Sequence, residues 1–254
     1  MKKVLAYLLA SLFIALPVFS KEKKIIRLAT IEWPPYVTAQ VKSKGWTSEV
    51  IKEAFKTQGY KVIFSFIKGG SPWGQVLNMV KTGKFVAAYP AYYSENRTEF
   101  YYFSRSIGRG PLGFFKRKGD KINFDGDLSS IKNFKIGVVK NYVNSEHFDR
   151  ATYLKTKSYK DDRTSLVMLN KKRVDLVLLD KLVTQHHLKN DPYLKNFQSK
   201  FEFIEPPLEN KNLHIIFTKK NNKSTQLMRL FQKGLNEIRS NGVYDKVIKK
   251  HSAK

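Results

Sequence analysis

The chain has 254 residues, with 47 Lys and Arg against 21 Asp and Glu, a formal net charge of +26 at pH 7 and no cysteine. The missing thiols exclude disulfides, cysteine nucleophiles and cysteine metal sites, while the length and the 42% apolar content suit one large domain or two modest lobes with real cores. The cations are spread along the chain and accompany no nucleic-acid-binding motif, so nucleic acid is not an expected partner.

Lys2 and Lys3 precede an apolar run, Val4 to Phe19, broken only by Ser11 and Pro17 and followed by Ser20 and Lys21-Glu22-Lys23-Lys24. A basic start, an apolar run too short to span a bilayer comfortably and a charged exit predict a secretory signal peptide cut after Ser20. Its loss removes two lysines and takes the charge from +26 to +24. Without cysteine the lipid tether of many exported binding proteins is impossible, so the expected product is soluble and periplasmic.

The Ile25–Ile31 run reads as a strand that ends at Glu32-Trp33-Pro34-Pro35-Tyr36. Two prolines stop the strand and fix an extended loop, which leaves Trp33 and Tyr36 at the strand end. Thr47 or Ser48 is expected to cap a helix with Val50, Ile51, Ala54 and Phe55 on one face, closed by Gly59. After a second strand at Lys61–Phe66, Ser71 as N-cap and Pro72 at the first helical position start a second helix. Its Trp73 sits in the first turn, on the strand-end side of the sheet. A third strand at Phe85–Tyr89 completes a βαβαβ unit with a parallel sheet. A turn at Tyr89-Pro90 then leads through a polar loop to a strand at Pro111–Lys116. Ligands of open α/β sheets bind beyond strand ends, so Arg97, in that loop, is placed to hold an anion.

A second unit starts with a strand at Lys135–Val139. A helix from Asn144 or Ser145 would aim free backbone N–H groups beyond that strand, and Asn144 reads equally as a ligand contact or as a plain cap. Thr164 precedes a helix carrying Leu166, Val167 and Leu169. The buried strand Val174–Leu179 delivers Asp180 to its C-terminal end. His186 and His187, adjacent on the next helix, face different directions, so no metal site is expected. Phe201–Ile204, Pro206-Pro207 and Leu213–Phe217 return the chain to the first unit, where Ser224 is expected to cap a long helix with Leu227, Leu230, Phe231, Leu235 and Ile238 in its stripe.

The order Pro90, Tyr92, Arg97, Phe103-Ser104 and the Pro111–Lys116 strand, with Trp33-Pro34-Pro35-Tyr36 before it, resembles type II periplasmic solute-binding proteins, the extracellular solute-binding family 3 of polar amino acid ABC transporters. The resemblance implies a two-lobed α/β fold, with residues 21–110 and 207–254 in the first lobe, 111–206 in the second, and two hinge crossovers around a ligand cleft. It implies that Arg97 grips a ligand carboxylate, that Pro90 and Tyr92 help bind the amine, and that Tyr36, favoured over Trp33, lies over the ligand. It further implies Trp73 as a pocket wall, Asn144 near the ligand's distal group and Asp180 on the ligand amine from the second lobe. Two positions depart from the family. Val86 stands where an Asp is common, and Tyr142-Val143-Asn144 replaces a Gly-Ser/Thr-Thr element, which suits a less acidic distal group.

The implied function is capture of an amino acid or related zwitterion for a membrane ABC permease, by a monomer that needs no cofactor, metal or covalent chemistry. The alternatives are a cyclohexadienyl-dehydratase-like enzyme on the same fold, with Asp180, Glu32 or His214 as its acid or base, and a stand-alone sensor module.

Overall fold

The computed structural model describes residues 24–252, and the signal segment expected at 1–20 lies outside them. Along the chain run β1 (Lys24–Thr30), α1 (Trp46–Thr57), β2 (Tyr60–Phe66), α2 (Pro72–Lys81), β3 (Ala87–Tyr92), β4 (Tyr101–Phe103) and β5 (Gly108–Arg117). Then come β6 (Lys135–Val139), α3 (Glu146–Arg150), β7 (Lys155–Tyr159), α4 (Asp162–Asn170), β8 (Leu176–Asp180) and α5 (Lys181–Asn190). The chain closes with β9 (Phe201–Phe203), β10 (Glu209–Thr218), α6 (Ser224–Ser240) and α7 (Val243–Ser252).

One sheet in the order β2-β1-β3-β10-β5-β8-β6-β7 runs through two lobes. In the first lobe β1 pairs parallel with β2 and β3, as a βαβαβ unit requires. In the second, β6 pairs parallel with β7 and β8. The antiparallel strands β5 and β10 join the lobes. They pair with each other from Gly108 opposite Leu213 to Leu112 opposite Glu209, after which β10 continues along β3 and β5 along β8.

Each lobe has its own core. Leu28, Ile51, Phe55, Val76, Val80, Phe217, Phe231 and Leu235 pack together in the first. The second is split by its sheet, because successive side chains of a strand point to opposite faces: Leu176 and Leu178 of β8 join one cluster, Val177 and Leu179 the other.

Four local expectations need correction. The Tyr89-Pro90 turn is absent, because β3 runs on through Pro90 to Tyr92. Pro90 falls where the β3/β10 register shifts between His214 and Ile216, an irregularity that tolerates a residue without an N–H. Gly45, not Thr47 or Ser48, precedes α1, and both hydroxyls have partners outside the helix: Thr47 Oγ1 donates to Tyr36 O at 2.7 Å, and Ser48 Oγ lies 2.8 Å from Tyr89 Oη as well as 2.6 Å from Lys44 O. Thr164 lies inside α4 rather than before it, and Asp161 is the cap, its carboxylate accepting the Thr164 N–H at 2.7 Å. Lys223 precedes α6, and no side-chain cap bond forms there.

Candidate functional site

The parallel strands of the first lobe and β6 and β8 of the second end at the same cleft, and the loops after them carry the side chains that meet in it. The loop after β1 is pinned by a reciprocal bridge, Trp33 N–H to Val37 O at 2.9 Å and Val37 N–H to Trp33 O at 3.1 Å. That bridge turns Trp33 and Tyr36 toward the same place, with their rings stacked at a centroid distance of 4.8 Å.

A cavity of about 30 Å³ lies between the lobes. Ile31, Trp33, Trp73, Pro90, Tyr92 and Arg97 line it from the first lobe, and Tyr142 and Val143 close it from the second. Trp33 meets Tyr92 and Tyr142 edge-on at 5.7 and 6.3 Å, which gives the cavity an aromatic wall.

Among the described residues Arg97 is the only charged side chain of that lining. It sits in a short helical turn, Glu95–Glu99, after β3. Its guanidinium donates to Asn141 O of the second lobe at 2.6 Å and weakly to Tyr92 O at 3.4 Å. No carboxylate lies within 4 Å of it among the described residues. Loss of solvent brings its pKa down to about 10, a fall that Tyr101 and Asp149 only partly oppose. A guanidinium has five donors in a planar fork. Two carbonyls leave most of them unused, and a carboxylate would complete the set.

Asp180 stands at the C-terminal end of buried β8, as the strand pattern suggests. It is 2% exposed, outside the cavity lining, and its oxygens are already engaged. Oδ2 accepts from Tyr36 Oη at 2.8 Å and from Tyr92 Oη at 2.8 Å, while Oδ1 caps α5 by accepting the Val183 N–H at 3.0 Å. Burial pushes the Asp180 carboxyl up to about 6, against the hydrogen bonds that favour its charged form. The same burial, with the negative charge of Asp180, raises both tyrosine hydroxyls far above their usual range, so they act as donors. Gly110 makes this packing possible. A Cβ there would fall onto Tyr36 Oη and within 2.5 Å of Asp180 Oδ2.

A parallel pair lies in the second lobe, where Tyr142 Oη donates to Asp162 Oδ2 at 2.8 Å. Asp162 is buried and its carboxyl is raised, with desolvation as the largest cause. The Trp33 indole favours its charged form, although neither Trp33 Nε1 nor Asp162 Oδ1 completes a hydrogen bond.

Of the residues expected from sequence, Trp73, Pro90, Tyr92 and Arg97 line the cavity. Tyr36 does not; it is fully buried behind Trp33, which reverses the preference between the two. Asn144 is also away from the lining. Its N–H and Nδ2 donate to the Asp149 carboxylate at 3.0 and 2.8 Å, and its neighbour Ser145 caps α3, so of its two readings the structural one describes this geometry. Sequence reasoning did not name Ile31, Tyr142 or Val143 as ligand contacts, and it ranked Trp33 below Tyr36. The bulky Tyr142-Val143 pair after β6 was the available signal.

The profile of bacterial extracellular solute-binding proteins, family 3, matches residues 26–254. A probable histidine-binding protein of Campylobacter jejuni is 23% identical over 218 residues, covering 83% of this chain and 77% of the relative. An ancestral arginine-binding protein bound to glutamine superposes with a TM-score of 0.73 at 21% identity, covering 91% of this chain and 98% of that one. The substrate-binding protein of an amino acid ABC transporter superposes with a TM-score of 0.71 at 16% identity, covering 91% and 100%. These structures share the two-lobed type II periplasmic-binding fold, whose members in this family bind solutes and are not enzymes. The protein belongs to the bacterial extracellular solute-binding proteins, family 3.

Proposed function

We propose that this chain captures a small carboxylate-bearing solute in its interlobe cleft and delivers it to a membrane ABC permease. One observation carries the reading: among the described residues, a half-buried arginine without a carboxylate partner is the only charge on an aromatic-walled cavity between two hinged lobes. Trp73, Pro90 and Tyr92 shape the wall around it, and Tyr36 and Asp180 support that wall from behind. Relatives named for histidine and arginine binding, and a structural neighbour from an amino acid transporter, support a ligand of amino-acid size.

Cleavage near Ser20, a monomeric periplasmic product and lobes divided near residues 110 and 207 complete the proposal. A thermal-shift screen of the mature protein against amino acids, polyamines, short carboxylic acids and short peptides tests it, since a ligand that binds only the native state raises its stability. Compounds carrying a carboxylate are expected to raise the melting temperature. A rise with polyamines alone would contradict the reading.

A further inference from the structure

The high positive charge of the chain plays no part in the solute cavity, and one groove of the first lobe gathers part of it. This groove, of about 620 Å³, lies at the N-terminal ends of the lobe's parallel strands, the ends away from the cleft. We propose that it is a docking surface for a membrane that bears anionic phospholipid headgroups. Four cations converge on it from separate places: Lys24 and Arg27 of β1, Lys84 before β3 and Lys223 before α6. All four are exposed. Among the described residues none of them has an ion-pair partner, and no acidic side chain lines the groove.

Two further features raise the field there. Helix α6 begins at the groove without a side-chain cap, so the positive end of its dipole faces this side of the lobe. Val86 lines the groove as well, so the acid common at that position in the family is absent. Between the cations the lining is apolar, with Phe85, Val86 and Leu227, and Ile25 keeps 57% of its surface exposed. A lipid interface satisfies both kinds of group: headgroup phosphates pair with the cations, and an aliphatic side chain enters the boundary of the acyl region. Nucleic acid would satisfy the cations but gain nothing from Ile25. Docking by this face leaves the cleft, at the opposite ends of the same strands, open to solvent.

Vesicle sedimentation of the mature protein tests this, with vesicles of phosphatidylglycerol and phosphatidylcholine in equal parts against phosphatidylcholine alone. Binding is expected only to the anionic vesicles and should fall as salt rises. Lys84→Gln combined with Lys223→Gln should weaken partition roughly twentyfold, at about fivefold per cation near the surface. A second pair, Lys24→Gln with Arg27→Gln, should lose as much. Lys132→Gln with Lys195→Gln, two exposed lysines of the second lobe, should change it little. Equal losses in the groove pairs and the second-lobe pair would mean that net charge alone is sensed, and would overturn the proposal, as would unchanged binding in both groove pairs. Ile25→Ser should weaken the binding that persists at high salt, and no change there would overturn the membrane as occupant. Release by inorganic phosphate, but not by sodium chloride of the same ionic strength, would mark a site for small anions and overturn it too.

Discussion

At Asp180, burial and hydrogen bonding act in opposite directions, and burial wins: the carboxyl rises from 3.8 to about 6. A carboxyl raised in the folded state means that the native protein holds its proton more tightly than the unfolded chain does. The stability this gives is fully present below about pH 4 and is lost as pH rises through about 6. The shift corresponds to roughly 3 kcal/mol. Asp180→Asn removes the titrating group but not the side-chain volume, so wild-type stability should fall by about that amount relative to the variant between pH 4 and pH 7. Urea unfolding at several pH values measures it, and a difference that does not change with pH would contradict the assignment. The sequence made Asp180 visible as the polar end of a buried strand. It could not show Asp180 tied to Tyr36 and Tyr92, because those partners lie 144 and 88 residues away and meet it only when β8 is laid beside β5.

The elements themselves were the most legible level. Apolar runs bounded by Gly and Pro located β1, β2, β5, β6 and β8, and helical spacing located α1, α2, α4 and α6, because burial against a shared sheet imposes those periods. Boundaries read less well, since a hydroxyl near a helix start can serve the helix or a tertiary partner with equal chemistry. Thr47 serves Tyr36 O and Ser48 serves Tyr89 Oη, whereas Asp161 serves its helix. Asp161→Ala should therefore cost about 1 kcal/mol of stability, the usual value of a lost cap. Ser224→Ala, at a helix start where no cap bond forms, should cost less. Chemical denaturation of both variants compares them, and an equal or larger loss in Ser224→Ala would contradict the cap assignment. Lys155–Tyr159 escaped prediction altogether. Its side chains are mostly exposed, so this edge strand shows no apolar alternation to read.

For the whole molecule, the two-strand hinge and the lobe-to-lobe bonds set the working state. Arg97 to Asn141, Asn141 Nδ2 to Ser71 Oγ at 3.3 Å, and the two tyrosines on Asp180 all cross the cleft, and Val183 of α5 packs into the first lobe's core. These contacts hold the lobes together around a small space, so a ligand entering from solvent must first find the lobes parted, and its binding then competes with the direct bonds for closure. The Arg97 bond to Asn141 is the one that a carboxylate would share or replace. Once the screen has supplied the acid that stabilises the protein most, calorimetry of that acid against wild type and Arg97→Ala tests the claim most directly. Loss of the guanidinium should weaken binding by roughly thirtyfold to several thousandfold, corresponding to about 2–5 kcal/mol for a desolvated charge left unpaired. An affinity near that of wild type in Arg97→Ala would contradict it.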